Sequence, residues 1–185
     1  AYYTLRRWRP EAREIDVWGV LHDDAGPAGS WLHEVEPGAS AALWGPRTAF
    51  APPADTDGYL LVADETGLPA VAVILESLPA DVPIVVLAES GAPGSRQPLP
   101  EHPGATIHWL DRHDAAPGTT TLLGDAARMV TPPGTRPYVW GGGESRAMTA
   151  VRRHVRAALE LPRERVSLVA YWRHRDHLAD THDED

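Results

Sequence analysis

The sequence predicts an α/β protein in which a parallel-sheet domain follows a shorter β segment. Two continuous apolar runs, Tyr59 to Ala63 and Pro83 to Ala88, read as strands buried on both faces. A helical pattern from Pro69 to Leu78 lies between them, which gives a strand–helix–strand unit. The turn-rich segment from Ala51 to Gly58 separates this unit from the β segment and marks a domain boundary.

The β segment comes first along the chain. Alternating apolar residues and Pro/Gly turns predict strands at Tyr2 to Trp8, Glu14 to His22 and Ala41 to Trp44. We therefore predict two units, a β unit over residues 1–50 and an α/β unit over residues 51–185.

The α/β unit continues with alternating strands and helices. Further strands are predicted at Thr106 to Leu110, Tyr138 to Trp140 and Val166 to Trp172. Helices are predicted at Thr121 to Met129 and at Glu144 to Leu161, where apolar residues recur at spacings of three and four. The His- and Asp-rich end has no periodicity, and we expect a mobile tail from about residue 174.

Composition excludes several classes of protein. The formal net charge of −9 argues against nucleic-acid binding, which requires positive charge near phosphates. No apolar run is long enough to span a membrane and no signal peptide is recognisable, so we expect a cytoplasmic protein. Because the chain has no cysteine, redox chemistry would need a bound organic cofactor or a metal.

The turn after the first buried strand is the first candidate ligand site. Here the chain passes from Leu61 through Asp64, Glu65 and Thr66 into a helix, with Thr66 as the predicted N-cap. The free N–H groups of a helix start suit a pyrophosphate, although the two carboxylates would repel one unless they point away or bind a ribose. The alternative is an ordinary capped helix.

Three consecutive glycines form the second candidate site. Gly141, Gly142 and Gly143 follow a predicted strand and precede Glu144 and a helix, which would let a ligand approach the backbone closely. A plain loop is the alternative. Both candidate sites lie at carboxyl ends of parallel strands, where open α/β sheets bind ligands.

Six ordered motifs carry a resemblance to a known family. The chain resembles the siderophore-interacting proteins, a branch of the ferredoxin-reductase-like flavoenzymes, through Tyr3-Thr4-Leu5-Arg6, Val20-Leu21-His22 with the loop from Gly26 to Trp31, Gly45-Pro46-Arg47, Asp64-Glu65-Thr66-Gly67-Leu68-Pro69, Gly143-Glu144 and Tyr171-Trp172-Arg173. The resemblance implies a ferredoxin-reductase-like NAD(P)-binding domain preceded by the remaining strands of a flavin-binding β-barrel.

The resemblance also implies which residues bind FAD and NAD(P)H. Tyr3 and Thr4 match flavin-ring contacts with Arg6 close by, and His22 with the loop from Gly26 to Trp31 matches the segment around the dinucleotide part of FAD. Gly29 and Ser30 would donate to its pyrophosphate. The cofactor-binding residues expected in the α/β unit are Asp64, Glu65 and Thr66 at the NAD(P)H pyrophosphate, Gly142, Gly143 and Glu144 beside the nicotinamide, and Trp172 near the flavin.

By this resemblance the protein would reduce ferric siderophores in the cytoplasm, with electrons passing from NAD(P)H through FAD to Fe(III). We expect Arg173 and Arg175 to bind the anionic ferric complex. The cofactor carries the chemistry, so no catalytic side chain is assigned. A general NAD(P)H flavin reductase and a non-catalytic siderophore- or nucleotide-binding protein are the alternatives.

The family's flavin motif begins with an arginine where this chain has Ala1. The missing anchor and the absence of upstream barrel strands predict an N-terminally truncated chain without tightly bound FAD.

The choice between NADH and NADPH depends on two residues after the second strand of the α/β unit. Glu89 lies where a carboxylate would hold a ribose 2′-hydroxyl, which favours NADH. Arg96 would pair with a 2′-phosphate, and on balance we expect NADPH. The tail from His174 to Asp183 has metal-binding residue types but no predicted structure, so no metal is expected. The sequence makes no prediction of oligomeric state.

Overall fold

The computed structural model describes residues 3–21 and 27–174. A two-stranded antiparallel sheet consists of β1 (Leu5–Arg9) and β2 (Glu14–Val17), followed by helix α1 (Pro27–Glu34). The α/β unit then runs β3 (Gly58–Ala63), α2 (Leu68–Ser77), β4 (Ile84–Ser90), β5 (Ala105–Asp111), α3 (Leu122–Met129), β6 (Pro137–Glu144), α4 (Ser145–Ala157) and β7 (Val166–Trp172).

The five strands of the α/β unit form one parallel sheet in the order β5-β4-β3-β6-β7. The order reverses between β3 and β6, because the chain builds outward from β3 to β5 and then returns to the other side of β3. A crevice at the carboxyl ends of these two strands is the usual ligand position in such sheets. The predicted α/β fold with a parallel sheet is confirmed.

Alternate side chains of the central strand feed two separate hydrophobic cores. Tyr59 and Leu61 point to the face covered by α2, and Leu60 and Val62 to the face covered by α3 and α4. Helix α4 is amphipathic and buries Met148, Val151 and Val155 in the second core. The apolar run of β3 is thus explained by helices on both faces of the sheet.

The β segment differs from the prediction in two places. Residues 41–44 form no strand, and Trp44 is 93% exposed. A strand needs a neighbour for its backbone groups, and among the described residues β1 and β2 pair with each other. The second predicted strand ends at Val17. The loop expected between Gly26 and Trp31 is instead helical from Pro27, where proline suits the first turn.

The predicted domain boundary near residue 50 stays a prediction. Phe50 packs against Tyr59 and Tyr138 of the α/β unit, with ring centroids 5.9 and 5.5 Å apart. Further back, Arg6 of β1 forms an ion pair with Glu76 of α2. The β segment is therefore packed directly on the α/β unit. None of the helices of the described part of the chain is long and apolar enough to cross a membrane.

Candidate functional site

The carboxyl edge is the edge of the sheet at which its five parallel strands end. Asp64 lies at the centre of this edge, directly after β3, and is 4% exposed. One carboxylate oxygen accepts from the backbone N–H and hydroxyl of Thr66, at 2.9 and 2.5 Å. The other accepts from the N–H of Glu144 at 2.8 Å and the indole Nε1 of Trp172 at 2.9 Å. Asp64 thus links the ends of β3, β6 and β7. Burial raises the pKa of Asp64, and these hydrogen bonds oppose the rise.

The predicted cap of α2 is wrong in detail. Gly67 is the N-cap of α2, without a side-chain cap, and Thr66 bonds back to Asp64. The N–H groups of Gly67 and Leu68 donate to the Asp64 carbonyl at 2.9 and 3.2 Å. Several donors that the sequence suggested for a pyrophosphate therefore converge on Asp64. The reason is local, because an Asp two residues before a tight turn can satisfy that turn's own N–H groups.

The three glycines lie inside β6 and not in a loop after it. A Cβ on Gly143 would lie 2.7 Å from a carboxylate oxygen of Asp64, and one on Gly141 would lie 2.7 Å from Leu168. A Cβ on Gly142 would press on the ring of Tyr171 at 3.1 Å. Close packing among β3, β6 and β7 thus accounts for these glycines, and the expected contact of Gly142 and Gly143 with the nicotinamide stays a prediction.

Glu144 serves as the N-cap of α4. Its carboxylate accepts from the N–H groups of Arg146 and Ala147, the latter at 3.1 Å, and from the N–H of His174 at 3.2 Å. A carboxylate at a helix N-terminus is stabilised by the helix dipole and occupies the place that a bound anion would take. The residue expected beside a nicotinamide therefore has a capping role here.

A second network, made of charged side chains, lies at the ends of β3, β4 and β5. Its central residue, Arg112, was not predicted from the sequence. Arg112 directly follows β5 and donates two hydrogen bonds of 2.8 Å to Glu65. It also contacts Glu89 at 3.4 Å. Glu65 accepts from the N–H of Gly91 at 2.9 Å, so this network ties together the ends of β3, β4 and β5. A charged residue directly after an apolar strand was the signal that could have identified Arg112.

The segment between β5 and α3 crosses the carboxyl edge. Gly118 has a positive φ of 76° and packs so closely that a Cβ there would lie 2.8 Å from Trp172 and 3.0 Å from Glu144. Thr120 donates to Glu89 at 3.1 Å. The segment thus covers the region between the hydrogen bonds around Asp64 and the charged network around Arg112.

Arg96 follows the short 3-10 turn Pro93–Ser95 that comes after β4, and it donates two hydrogen bonds to the Asp111 carboxylate, at 2.7 and 3.3 Å. The expectation that Arg96 binds a 2′-phosphate stays a prediction. The guanidinium group that would bind the phosphate is already paired with Asp111.

Thr4, which with Tyr3 forms the flavin motif expected from the sequence, lies near Tyr171 of the C-terminal strand β7. Burial raises the pKa of Tyr171, while the nearby Thr4 side chain opposes the rise. Tyr3 next to it is 45% exposed. Gly29 and Ser30 lie in α1. Arg6 is buried in its ion pair with Glu76 and lies 4.9 Å from the ring centroid of Trp18.

Arg173 lies at the rim of an open cleft of about 490 Å³ beside α4, together with Arg146 and Arg153. The expected residues His22 and Arg175 lie outside the described residues, as does the tail from residue 175. Within residues 3–21 and 27–174 no group of His, Asp and Glu side chains is arranged to hold a metal ion.

Family models match both parts of the chain. One described as "Siderophore-interacting protein" matches residues 56–175, and one described as "Siderophore-interacting FAD-binding domain" matches residues 1–50. Among solved structures, the siderophore-interacting protein SipS from Aeromonas hydrophila superposes with a TM-score of 0.81 and 34% identity, over 93% of this chain and 72% of that one.

Two curated relatives have names that describe a process. The chain is 35% identical over 178 residues to the mycobactin import ATP-binding/permease protein IrtA of Mycolicibacterium thermoresistibile, covering 92% of this chain and 19% of that protein. It is 24% identical over 172 residues to the ferric vibriobactin reductase ViuB of Vibrio cholerae, covering 92% and 63%. The chain thus spans a minor part of the first relative and less than two thirds of the second.

Proposed function

This chain is a member of the siderophore-interacting protein family, and we propose that it contributes to NAD(P)H-dependent, FAD-mediated reduction of ferric siderophores. A relative named as a ferric vibriobactin reductase supports the reaction class. The match of residues 1–50 to a siderophore-interacting FAD-binding domain supports the flavin. Because the chain spans only part of these relatives, the activity is proposed for the whole protein that contains it.

One observation carries the proposal: Tyr171 connects the flavin motif to the edge of the nucleotide-binding sheet. Its side chain lies near that of Thr4, one of the two residues expected to contact the flavin ring, and its ring packs on Gly142 near the end of β6. The place where strand order reverses, between β3 and β6, is where such sheets bind nucleotides. A nicotinamide bound at this crevice would therefore lie next to a flavin held by Tyr3 and Thr4.

The residues present suit FAD. The half-exposed ring of Tyr3 offers an aromatic surface, and Thr4 offers a hydroxyl. Gly29 and Ser30, the residues expected at the FAD pyrophosphate, lie in the first turn of α1, where the helix dipole favours a bound anion. When bound, FAD supplies the conversion of a two-electron hydride donor into single electrons for Fe(III). Arg6 is not among these contacts, because its guanidinium is paired with Glu76. This pair holds β1 on α2.

The cleft beside α4 suits an anionic substrate. Arg146, Arg153 and Arg173 line it on a chain whose formal net charge is −9. A local concentration of guanidinium groups on an acidic protein attracts anions by steering and charge-assisted hydrogen bonds. We assign Arg173 to the ferric siderophore and place the reaction in the cytoplasm, the compartment that supplies NAD(P)H.

Anaerobic spectroscopy of the flavin-loaded whole protein that contains this chain tests the proposal. NAD(P)H should bleach the flavin absorbance near 450 nm, and a ferric siderophore should restore it. Bleaching followed by release of reduced flavin from the protein, with no response to the siderophore, would indicate a general flavin reductase. No bleaching at all would indicate a binding protein without turnover.

A further inference from the structure

The end of the second strand of a nucleotide-binding sheet is where the adenosine ribose is recognised. In this chain that strand is β4, and its neighbour β5 ends one step outward in the sheet. Ser90 and Asp111 are paired in register at these two ends. The residues around them are therefore the ones that a ribose 2′-hydroxyl or 2′-phosphate would contact if a nucleotide binds to this sheet.

Glu89, the acidic residue expected to hold a 2′-hydroxyl, faces inward. It is 4% exposed and is contacted by Thr120 at 3.1 Å and Arg112 at 3.4 Å. Burial raises the pKa of Glu89, and the charge of Arg112 opposes this. A carboxylate enclosed in this way is unavailable to a ribose at the surface of the sheet.

Arg96 and Asp111 occupy the outer position instead. Arg96 directs Nη2 to one Asp111 oxygen at 2.7 Å and Nε to the other at 3.3 Å, and its guanidinium carbon lies 5.3 Å from the ring centroid of Trp109. Ser90 donates its hydroxyl to Asp111 at 3.2 Å. The side chains are 31% exposed for Arg96 and 18% for Asp111, so a ligand at this edge can reach both.

We propose that Asp111 determines the 2′ specificity of the nucleotide site by occupying the guanidinium fork of Arg96, which makes the site selective for the unphosphorylated ribose of NADH. A 2′-phosphate would compete with the carboxylate for the same donors, since one edge of an arginine holds one bidentate acceptor. It would also face the negative charge of Asp111. A 2′-hydroxyl can donate to that carboxylate without displacing Arg96. This inference rests on the proposed nucleotide-binding function of the sheet.

Calorimetric titration of the chain with adenosine 5′-monophosphate and adenosine 2′,5′-bisphosphate tests the proposal without flavin or turnover. The two ligands differ only in the 2′-phosphate. The unmodified chain should bind the monophosphate at least as tightly as the bisphosphate. Asp111→Asn should shift the ratio of the two Kd values toward the bisphosphate by about tenfold or more, because Arg96 becomes available and a negative charge is removed.

Three further variants act as controls. Asp114→Asn removes the same charge from an exposed position three residues away and should leave the Kd ratio unchanged. Combining Arg96→Ala with Asp111→Asn should abolish the gain. Arg96→Ala alone, a change on an exposed loop, should shift the ratio further toward the monophosphate, because Asp111 then faces the ligand without a counter-charge.

The outcomes separate this inference from the function on which it rests. An unchanged Kd ratio in both Asp111→Asn and Arg96→Ala, or a clear preference of the unmodified chain for the bisphosphate, overturns the role of Asp111 alone. If neither ligand nor NADH binds to the unmodified chain, the proposed nucleotide site is itself contradicted, and the inference fails with it.

Discussion

Arg6 of β1 donates two hydrogen bonds of 2.7 Å to the carboxylate of Glu76 on α2. The Arg6 side chain is 4% exposed, whereas that of Glu76 is 43% exposed. This ion pair joins the first strand of the β segment to a helix of the α/β unit. A contact of this kind fixes where the flavin motif lies relative to the sheet.

Loss of the Glu76 carboxylate should destabilise the chain. Glu76→Ala leaves a buried guanidinium without its acceptor, and we expect a loss of about 1–3 kcal/mol in the free energy of unfolding, less than for a fully buried pair because Glu76 is partly solvated. Urea denaturation measures it. Asp16→Ala, which removes an exposed partner of Arg9, is the matched control and should have little effect.

The same ion pair predicts a pH dependence. Arg6 lowers the pKa of Glu76 below its usual value of 4.5. A carboxyl group with a lowered folded-state pKa contributes stability that is fully present above the unfolded pKa and is lost as pH falls through the folded pKa. The stability difference between the unmodified chain and Glu76→Ala should therefore shrink below about pH 4.5. A difference that stays constant down to pH 2 would argue against the ion pair.

Replacing Asp64 by asparagine should loosen the carboxyl edge. Both oxygens of Asp64 accept from N–H or O–H donors, so an amide in either orientation turns its NH₂ group toward donors of Thr66 or of Glu144 and Trp172. We expect a loss of about 2–4 kcal/mol in the free energy of unfolding. In a protein whose other tryptophans have been replaced, the fluorescence emission of Trp172 should shift, because its indole N–H loses the Asp64 acceptor. An Asp64→Asn protein of unchanged stability and emission would contradict the central position given to Asp64.

A Cβ at position 143 should be costly. Gly143→Ala would place a methyl group 2.7 Å from an oxygen of Asp64, and we expect a loss of about 1–3 kcal/mol as the strand or the carboxylate shifts. Gly94→Ala is the matched control, because nothing lies within 4 Å of its Cβ position. Thermal denaturation of both variants checks this, and equal midpoints would show that β6 is packed less tightly than described.

Sequence patterns predicted the fold well because they report burial. The uninterrupted apolar run of β3 requires helices on both faces, and the three- and four-residue spacing of Met148, Val151 and Val155 requires an amphipathic helix. The strand predicted around Trp44 is wrong, because strand formation depends on pairing as well as on burial. Its pattern suggests pairing, but pairing depends on a neighbouring strand that a local pattern does not contain.

The candidate site was predicted in position but not in detail. The sequence places Asp64, Gly143 and Glu144 at the ends of parallel strands, and the structure brings them into contact. Their partners come from distant segments, as in the bond from Trp172 to Asp64 or the pairing of Arg96 with Asp111. Such partners depend on strand order, which local spacing does not determine.

Arg173 should matter for substrate and not for nucleotide. In the flavin-loaded protein, Arg173→Ala should raise the KM for an anionic ferric siderophore severalfold at low ionic strength, with a smaller effect at high salt because the charges are exposed. Arg163→Ala removes an equal exposed charge away from the cleft and serves as the control. An unchanged KM at low salt would remove Arg173 from the substrate site.

The most direct test of the proposed reaction is the stoichiometry of iron reduction under anaerobic conditions. A hydride carries two electrons and Fe(III) accepts one. Limiting NAD(P)H mixed with excess ferric siderophore and the flavin-loaded whole protein that contains this chain should therefore yield two Fe(II), trapped by a chromogenic chelator, for each nicotinamide oxidised. We expect that ratio, with flavin remaining bound to the protein. Oxidation of the nicotinamide without Fe(II), or Fe(II) that forms only after flavin has left the protein, would contradict the account.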